Sequence, residues 1–302
     1  MSLWSMAKKI DSQRLWSILI NMRFINFSKK PNLNRPILIA GFEGWPNAGC
    51  ISSDVLSFLK KGLGVKKFAE VNPDIFHKYS NNRPYAKIDG GEVKYLLFSP
   101  YEFFYKKSAS FPDLILFLGK EPQLRWKQFT RSFLKLATDF DVATLITIGG
   151  TYDYVTHKQD PWISGVFTDN DLRHKVAASG IKDAKYEGPV SIHTFLLKEA
   201  EEIGIRGISI WGHVPQYLTN NNFPIICQIL GCLKEIVGFD LDLSEIKLKA
   251  EELLKQIDLI IQKNPELSKY IEKIGKGCHL KKQPSFHDKV IQINDFLKKD
   301  PQ

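Results

Sequence analysis

Four segments of the chain combine glycine with polar or aromatic residues whose types could do chemistry. Each directly follows a short apolar run of the kind that forms a buried β-strand. They are residues 41–49 (GFEGWPNAG), 119–126 (GKEPQLRW), 149–154 (GGTYDY, including Gly150) and 211–217 (WGHVPQY). Because ligand sites in parallel α/β sheets lie beyond the carboxyl ends of the strands, these segments hold most of the candidate functional residues.

The first segment has the composition of an anion-binding turn. Gly41, Gly44 and Gly49 precede a predicted helix, and the N–H groups at a helix start can bind an anion. The spacing is not the GxGxxG of dinucleotide sites, however, and Cys50 stands where a P-loop requires lysine. Standard binding of ATP or of a dinucleotide is therefore disfavoured, and we expect no cofactor.

Three side chains of this turn could contact a ligand, namely Glu43, Trp45 and Asn47. Asn47 is placed to cap the helix that follows. Glu43 could accept a hydrogen bond or act as a general base. A carboxylate repels an anion at the same site, so a purely structural turn is an equal alternative.

The second segment places Glu121 four residues before Arg125, next to Trp126. An ion pair at a helix start is the favoured interpretation of this spacing. The alternative is an arginine held in position to bind a carboxylate or a phosphate. Arg83, in a loop predicted over residues 73–84, is a second candidate for holding an anion.

The histidines give weaker signals. A single histidine directly after a buried strand, such as His213, is more often a hydrogen-bonded structural residue than a catalyst. Asp153 and His157 are four residues apart, but no third ligand is indicated, so no metal site is predicted. The chain has no GxSxG nucleophile elbow, and spacing alone assembles no catalytic triad.

The elements that must position these residues alternate between strand and helix. Strands are predicted near residues 36–42, 67–71, 94–98, 102–105, 113–118, 142–148 and 206–211. Helices are predicted near residues 47–63, 125–139, 189–203, 223–237, 245–262, 266–274 and 288–297. The alternation indicates an α/β fold in which a largely parallel sheet lies between flanking helices. The predicted divisions are a basic, flexible leader (1–35), an α/β core domain (36–240) and a helical C-terminal extension (241–302).

The net charge of +9 is located at the two ends of the chain. Residues 1–35 hold seven basic groups and one acid, and residues 261–302 hold nine basic groups and five acids. The 26 basic and 27 acidic groups of residues 36–260 nearly cancel. A nucleic-acid platform would carry basic charge on its folded core. Solvated basic ends are therefore favoured over nucleic-acid binding, and no specific nucleic-acid partner is expected.

Cysteine usage and hydropathy indicate the compartment. No apolar run reaches the ~18 residues of a membrane span, and no small-residue cleavage site follows the short run at residues 15–20. Cys50, Cys227, Cys232 and Cys278 match neither a zinc-ribbon spacing nor a dense disulfide framework. A reducing cytoplasm is the simplest setting.

Taken in order along the chain, these segments resemble the proteasome-assembly-chaperone-type family, in its bacterial and archaeal branch. The likeness covers about residues 36–260. Its elements are residues 41–49 (family pattern GFxGWxDAG), the Arg83-Pro84 loop, residues 116–126 (family pattern GxEPxxRW), residues 214–218 (VPQYL, family pattern VPHYL) and residues 238–243 (GFDLDL).

The resemblance implies a fold similar to that of nucleoside phosphorylases and hydrolases, with a helical C-terminal extension. It also implies cytoplasmic homo-oligomers, trimers among them, and protein partners, since relatives in archaea and eukaryotes are assembly chaperones for proteasome subunits. Asn47 stands where the family has aspartate, and Gln216 stands where it has histidine. Residues 149–158 do not match the PHTRP-type segment of many bacterial relatives. These departures weaken a claim to shared catalysis and leave the fold untouched.

We therefore expect an assembly-chaperone-like protein that binds other proteins and has no catalytic role. The alternative is a phosphorylase- or hydrolase-like enzyme acting on a small anionic molecule at the strand ends. In that enzyme Glu43 would be the base, and Arg83 or Arg125 would hold the anion. It requires these residues, together with Glu121 and His213, to share one pocket.

Overall fold

The computed structural model of the protein describes residues 24–275 and Ile293. The predicted leader up to residue 23, Cys278 and the predicted helix at 288–297, apart from Ile293, lie outside the described residues.

Strands and helices alternate through the described part of the chain. The strands are β1 (Ile25–Phe27), β2 (Ile37–Glu43), β3 (Lys66–Val71), β4 (Tyr85–Asp89), β5 (Glu92–Leu97), β6 (Glu102–Lys106), β7 (Leu114–Lys120), β8 (Thr144–Asp153), β9 (Ile163–Phe167), β10 (Lys182–Asp183) and β11 (Arg206–Pro215). The α-helices are α1 (Ile51–Leu63), α2 (Trp126–Asp139), α3 (Asn170–Val176), α4 (Ile192–Glu202), α5 (Phe223–Val237), α6 (Ser244–Gln262) and α7 (Pro265–Gly275). Short 3-10 turns occupy Ala48–Cys50, Pro73–Ile75 and Ala177–Ser179.

Nine of these strands form one sheet in the order β1-β3-β6-β7-β2-β8-β11-β9-β10. The four central strands, β7, β2, β8 and β11, are parallel to one another. The strands that flank them, β6 and β9, are antiparallel to their central neighbours. The predicted α/β fold with a largely parallel sheet is confirmed, and its parallel part is the centre, which holds all four candidate segments.

The sheet is buried on both faces because successive side chains of a strand point to opposite sides. In β2, Ile37 and Ile39 belong to the cluster with α1 and α5, whereas Leu38, Ala40 and Phe42 belong to the cluster with α2 and α4. Full burial of one such aliphatic or aromatic side chain stabilises the fold by roughly 1.5–3 kcal/mol. This two-sided packing explains why the central strands appear in the sequence as continuous apolar runs.

The C-terminal helices pack over the end of β11. Leu253 and Ile257 of α6 and Ile271 of α7 form a third apolar cluster with Tyr217 and Leu218, which directly follow β11. The prediction of helices after residue 240 is confirmed over the described residues. The extension therefore lies against the edge of the sheet that carries the candidate segments.

Several element boundaries differ from those predicted. Residues 25–27 of the predicted leader form β1, which pairs with β3 at the edge of the sheet. The helix predicted from Pro189 begins at Ile192, because the hydroxyl of Ser191 accepts the Thr194 N–H at 3.2 Å and so caps the helix there. β9 lies within the loop predicted over residues 151–168, because it extends the sheet by pairing with β11.

Gly150 provides a test of how closely the segments pack at the sheet edge. A Cβ at Gly150 would overlap the backbone oxygen of Ala48, so Gly150→Ala should lower the free energy of unfolding by about 1–3 kcal/mol. Gly231 lies in α5 with open space around its Cβ position. Gly231→Ala should be neutral or stabilise by up to about 1 kcal/mol. Chemical denaturation measures both, and equal stabilities for the two variants would contradict the close approach.

Candidate functional site

The 41–49 turn joins the ends of three central strands through backbone hydrogen bonds. The N–H of Gly150 donates to Pro46 O at 2.8 Å, and the N–H of Glu121 donates to Glu43 O at 2.7 Å. Gly44 has a φ of +111°, a conformation that favours glycine. The ends of β2, β7 and β8 are thus held together as one rigid edge.

The polar side chains of this turn have different environments. The side-chain oxygen of Asn47 accepts the N–H of Ser53 at 3.2 Å, and its NH2 group donates to the Ser53 hydroxyl at 3.0 Å. Both ends of the amide therefore hold the start of α1. Glu43 is half-buried at the end of β2, paired in register with Lys120. Trp45 is 59% exposed. Of the three, Asn47 holds the first turn of α1 from outside the helix, whose N-cap position is Cys50. Trp45 is the most available to a partner.

Glu121 caps α4, which starts 71 residues later in the chain. Its Oε1 accepts the N–H of Ile192, the first residue of α4, at 3.1 Å. A carboxylate at a helix N-terminus is favoured by the helix dipole. Burial raises the pKa of the Glu121 carboxyl above its ordinary value, and hydrogen bonds from the backbone of Ile192 and Trp45 offset part of that rise.

The favoured interpretation of the Glu121–Arg125 spacing is wrong. Glu121 accepts a hydrogen bond from the first residue of α4 instead. Arg125 forms no ion pair with any carboxylate in the described part of the chain. Arg125 precedes α2 with a φ of +55°, so the two residues do not share a helix face. Trp126 donates its indole N–H to Pro122 O, which fixes the turn between β7 and α2.

The loop that carries Arg83 is attached to this same turn. Phe76 O accepts the N–H groups of Gln123 and Leu124 at 2.9 and 3.1 Å. Lys120 donates to the side chain of Asn82, the neighbour of Arg83. Arg83 and Arg125 are both exposed, and they flank the end of β7.

His213 lies in a different group of side chains, between residues from two neighbouring strands. Its Nδ1 is 2.8 Å from Asp153 Oδ2, and its Nε2 is 2.8 Å from Ser164 Oγ. The ring of Trp162 stacks on the imidazole at a centroid distance of 4.3 Å and an interplanar angle of 8°. Asp153 and Ser164 were not predicted in these roles, because the contacts come from strand register rather than from sequence spacing.

Asp153 and His157 contact different partners. His157 contacts the Tyr217 hydroxyl through Nδ1 at 2.7 Å and Asp258 of α6 through Nε2 at 3.2 Å. Burial lowers the pKa of His157, and the nearby Asp258 partly opposes that effect. This pair fastens the C-terminal extension to the end of β11.

The five side chains required by the enzyme hypothesis do not converge. β7 and β11 are separated by three interstrand spacings, about 14 Å in total. A cavity of about 40 Å³ is lined by His213, and none of Glu43, Arg83, Glu121 and Arg125 lines it. Within the described residues, the single pocket that the enzyme alternative requires is therefore not formed, and its residues fall into two separate groups.

Two kinds of site are absent from the described residues. They contain no group of three or more histidine, cysteine, aspartate or glutamate side chains placed to hold a metal ion. Within that part, no helix is both long and apolar enough to cross a membrane. The described cysteines Cys50, Cys227 and Cys232 are free thiols.

Comparison with known families identifies the family of this chain. The PAC2 family model matches residues 41–261, which is most of the chain and includes all four candidate segments. The protein belongs to the PAC2 family. A search of curated proteins found no significant match.

Solved structures of PAC2 proteins share this fold. A PAC2 family protein from Streptomyces avermitilis is 26% identical, covering 74% of this chain and 95% of its own, with a TM-score of 0.68. A proteasome-assembly chaperone homologue from Mycobacterium tuberculosis is 23% identical, covering 78% and 99% with a TM-score of 0.71. An archaeal proteasome activator from Pyrococcus furiosus is 21% identical, covering 78% and 97% with a TM-score of 0.64. At these identities the last two show a shared fold.

The raised pKa of Glu121 predicts a pH dependence of stability. The folded state binds a proton at Glu121 more tightly than the unfolded state, whose pKa is near 4.5. The stability that this group contributes is therefore complete below that pH and is lost as pH rises through the folded pKa. Glu121→Gln should gain stability relative to the wild type between pH 4 and pH 7, as measured by urea denaturation.

Asp169 provides a control of opposite sign. A hydrogen bond from Arg206 lowers the pKa of Asp169, so its contribution is present above the unfolded pKa and is lost as pH falls. Asp169→Asn should therefore lose stability relative to the wild type as pH rises from acid. The raised pKa of Glu121 is contradicted if Glu121→Gln and Asp169→Asn change in the same direction.

Proposed function

We propose that this PAC2 protein is an assembly-chaperone-like protein of the cytoplasm that acts by binding other protein chains, its own copies included. The observation that carries the proposal is the hairpin β4–β5, which forms a two-stranded sheet of its own. Every residue of both strands is exposed. A two-stranded hairpin is marginally stable in water by itself, so a covered state is favoured.

The hairpin exposes an unusual amount of apolar surface. Seven of its large apolar side chains, counting the residue after β5, are between 44% and 65% exposed: Tyr85, Ile88, Val93, Tyr95, Leu96, Leu97 and Phe98. A cluster of exposed apolar side chains in one segment marks an interaction site, since monomers expose large apolar side chains mostly one at a time.

We propose that the occupant of this surface is a second copy of the chain. The hairpin carries two basic and two acidic residues, Lys87, Lys94, Asp89 and Glu92, so an identical hairpin can meet it with opposite charges aligned. Within the described residues, each strand of the hairpin has one unpaired edge. Such edges accept another strand by backbone hydrogen bonding, and a self-complementary patch is what a symmetric oligomer requires.

The client class is proposed from the relatives. The Mycobacterium tuberculosis homologue is described as a proteasome-assembly chaperone homologue and the Pyrococcus furiosus protein as a proteasome activator. We propose that the oligomer of this chain binds a subunit of a proteasome-type particle. The exposed Trp45, Arg83 and Arg125 at the sheet edge are candidate contacts for that client.

The hairpin proposal predicts the oligomeric state of charged variants. The wild type should elute as an oligomer, a trimer being the family expectation, and Val93→Lys combined with Leu96→Lys should give a monomer of 34.6 kDa, because two buried charges oppose association. Light scattering after size exclusion measures the mass.

Leu248→Lys, at an equally exposed apolar position of α6, is the matched control and should remain an oligomer. A monomeric wild type, or a double variant of unchanged mass, overturns the proposal.

The client proposal predicts that the oligomer binds proteasome-type subunits measurably. Purified, unassembled proteasome-type subunits from the same organism should bind the wild-type oligomer with a fixed stoichiometry in calorimetry. Arg83→Glu combined with Arg125→Glu should weaken that binding at least tenfold and leave the oligomer mass unchanged, because both side chains are exposed at the sheet edge. Absence of binding by the oligomeric wild type would exclude this client class.

A further inference from the structure

We infer that Ser164, His213 and Asp153 form a serine–histidine–aspartate relay that can accept an acyl group from a small carboxylic ester. Both hydrogen bonds of the relay are 2.8 Å long between the heavy atoms. The carboxylate contacts Nδ1 and the hydroxyl contacts Nε2, which is the polarity a serine nucleophile requires. This inference goes beyond protein binding and does not depend on the hairpin.

Strand register brings the three residues together. On one side of His213, β8 pairs Thr151 with His213, so that Asp153 is its diagonal neighbour two residues farther on. On the other side, the His213 N–H donates to Trp162 O at 3.0 Å, so that Ser164 of β9 is the second diagonal neighbour. Diagonal neighbours on one face of a sheet lie within reach of long side chains. The relay is thus held by three adjacent strands rather than by loops.

The relay lies where a ligand can be recognised. It is at the carboxyl end of parallel strands β8 and β11, the usual position of ligand sites in such sheets. The side chains of His213 and Asp153 are 12% and 31% exposed, and Trp162, stacked on the imidazole, is 39% exposed. Ser164 itself is buried, with 4% of its surface exposed.

A small cavity borders two side chains of this group. It is lined by Trp162, His213 and Asn222, whereas Ser164 and Asp153 do not line it. Asn222 is buried, and its Oδ1 accepts no hydrogen bond from the described residues. A hydrogen-bond donor on the substrate would therefore find an acceptor in this cavity, beside His213.

A second histidine shows what distinguishes the relay. His157 also lies between an aspartate and a hydroxyl, those of Asp258 and Tyr217. Its hydroxyl belongs to a phenol, whose pKa burial raises well above the usual range, and its contacts serve to fasten α6. His213 has an aliphatic alcohol at Nε2 instead, which is the nucleophile of acyl transfer.

The step balances without a cofactor. Ser164 Oγ forms a bond to the acyl carbon while its proton passes to His213 Nε2, and Asp153 stabilises the imidazolium. The ester C–O bond then breaks, and the alcohol leaves with the proton from Nε2. Water attacks the acyl-serine, its proton passes through Nε2, and the carboxylic acid and the free serine are released.

Active-site labelling tests the inference. The full-length protein is treated with an alkyl fluorophosphonate and, separately, with p-nitrophenyl acetate, and the modified peptide is mapped by mass spectrometry. We expect one label per chain on Ser164, complete loss of label in Ser164→Ala, and at least a tenfold slower reaction in Asp153→Asn, whose amide no longer orients the imidazole.

Ser209 offers a matched control. Its hydroxyl is also buried and hydrogen-bonded, with Thr147 Oγ1 at 2.8 Å, on the strand that carries His213. Ser209→Ala should label as the wild type does. The inference is overturned if the wild type stays unlabelled at Ser164, or if Asp153→Asn labels at the wild-type rate. Mapping on the wild type decides the question even where Ser164→Ala fails to fold.

Discussion

The parallel pairing of β8 with β11 over ten residues fixes the whole carboxyl edge of the sheet. Gly150 lies opposite Gly212 in this register, and neither position has room for a Cβ. The 3-10 turn and helix α1 can therefore pack directly on the strands. The same register places Asp153 beside His213 and places Tyr217, which follows β11, in contact with the C-terminal helices.

Two groups of side chains lie along that edge, and the β4–β5 hairpin lies outside the nine-stranded sheet. The end of β7 carries Glu121, which is committed to capping α4, and the two exposed arginines that flank it. The end of β11 carries the His213 relay, about 14 Å away across the intervening strands. The β4–β5 hairpin forms a sheet of its own. The proposed client binding and acyl transfer can thus use different groups of side chains.

The sequence predicts the centre of the fold well, for a physical reason. A strand covered on both faces must be apolar throughout, so runs such as 36–42 and 113–118 are visible without any structure. β9 was missed because Ser164 and Gly165 interrupt its apolar pattern, and its pairing with β11 is what stabilises it. The hairpin shows the converse limit, since residues 94–98 have the pattern of a buried strand but are exposed in the single chain.

The site was harder to predict than the fold because its contacts join distant residues. Sequence spacing pairs Glu121 with Arg125, whereas its hydrogen-bond partner in the structure is the N–H of Ile192, far along the chain. His213 was correctly expected to be hydrogen-bonded, but its partners depend on the register of two strands. The resemblance to the family rests on several motifs in a consistent order along the chain, because each motif alone is too short to identify it.

Amide hydrogen exchange as a function of protein concentration tests the central claim, that the hairpin is the self-association surface, most directly. Peptides covering residues 85–98 should exchange rapidly at low concentration and become protected as the concentration rises, while peptides from α6 around Leu248 exchange at a constant rate. Unchanged exchange in the hairpin, with protection appearing on another surface or on none, would contradict the account.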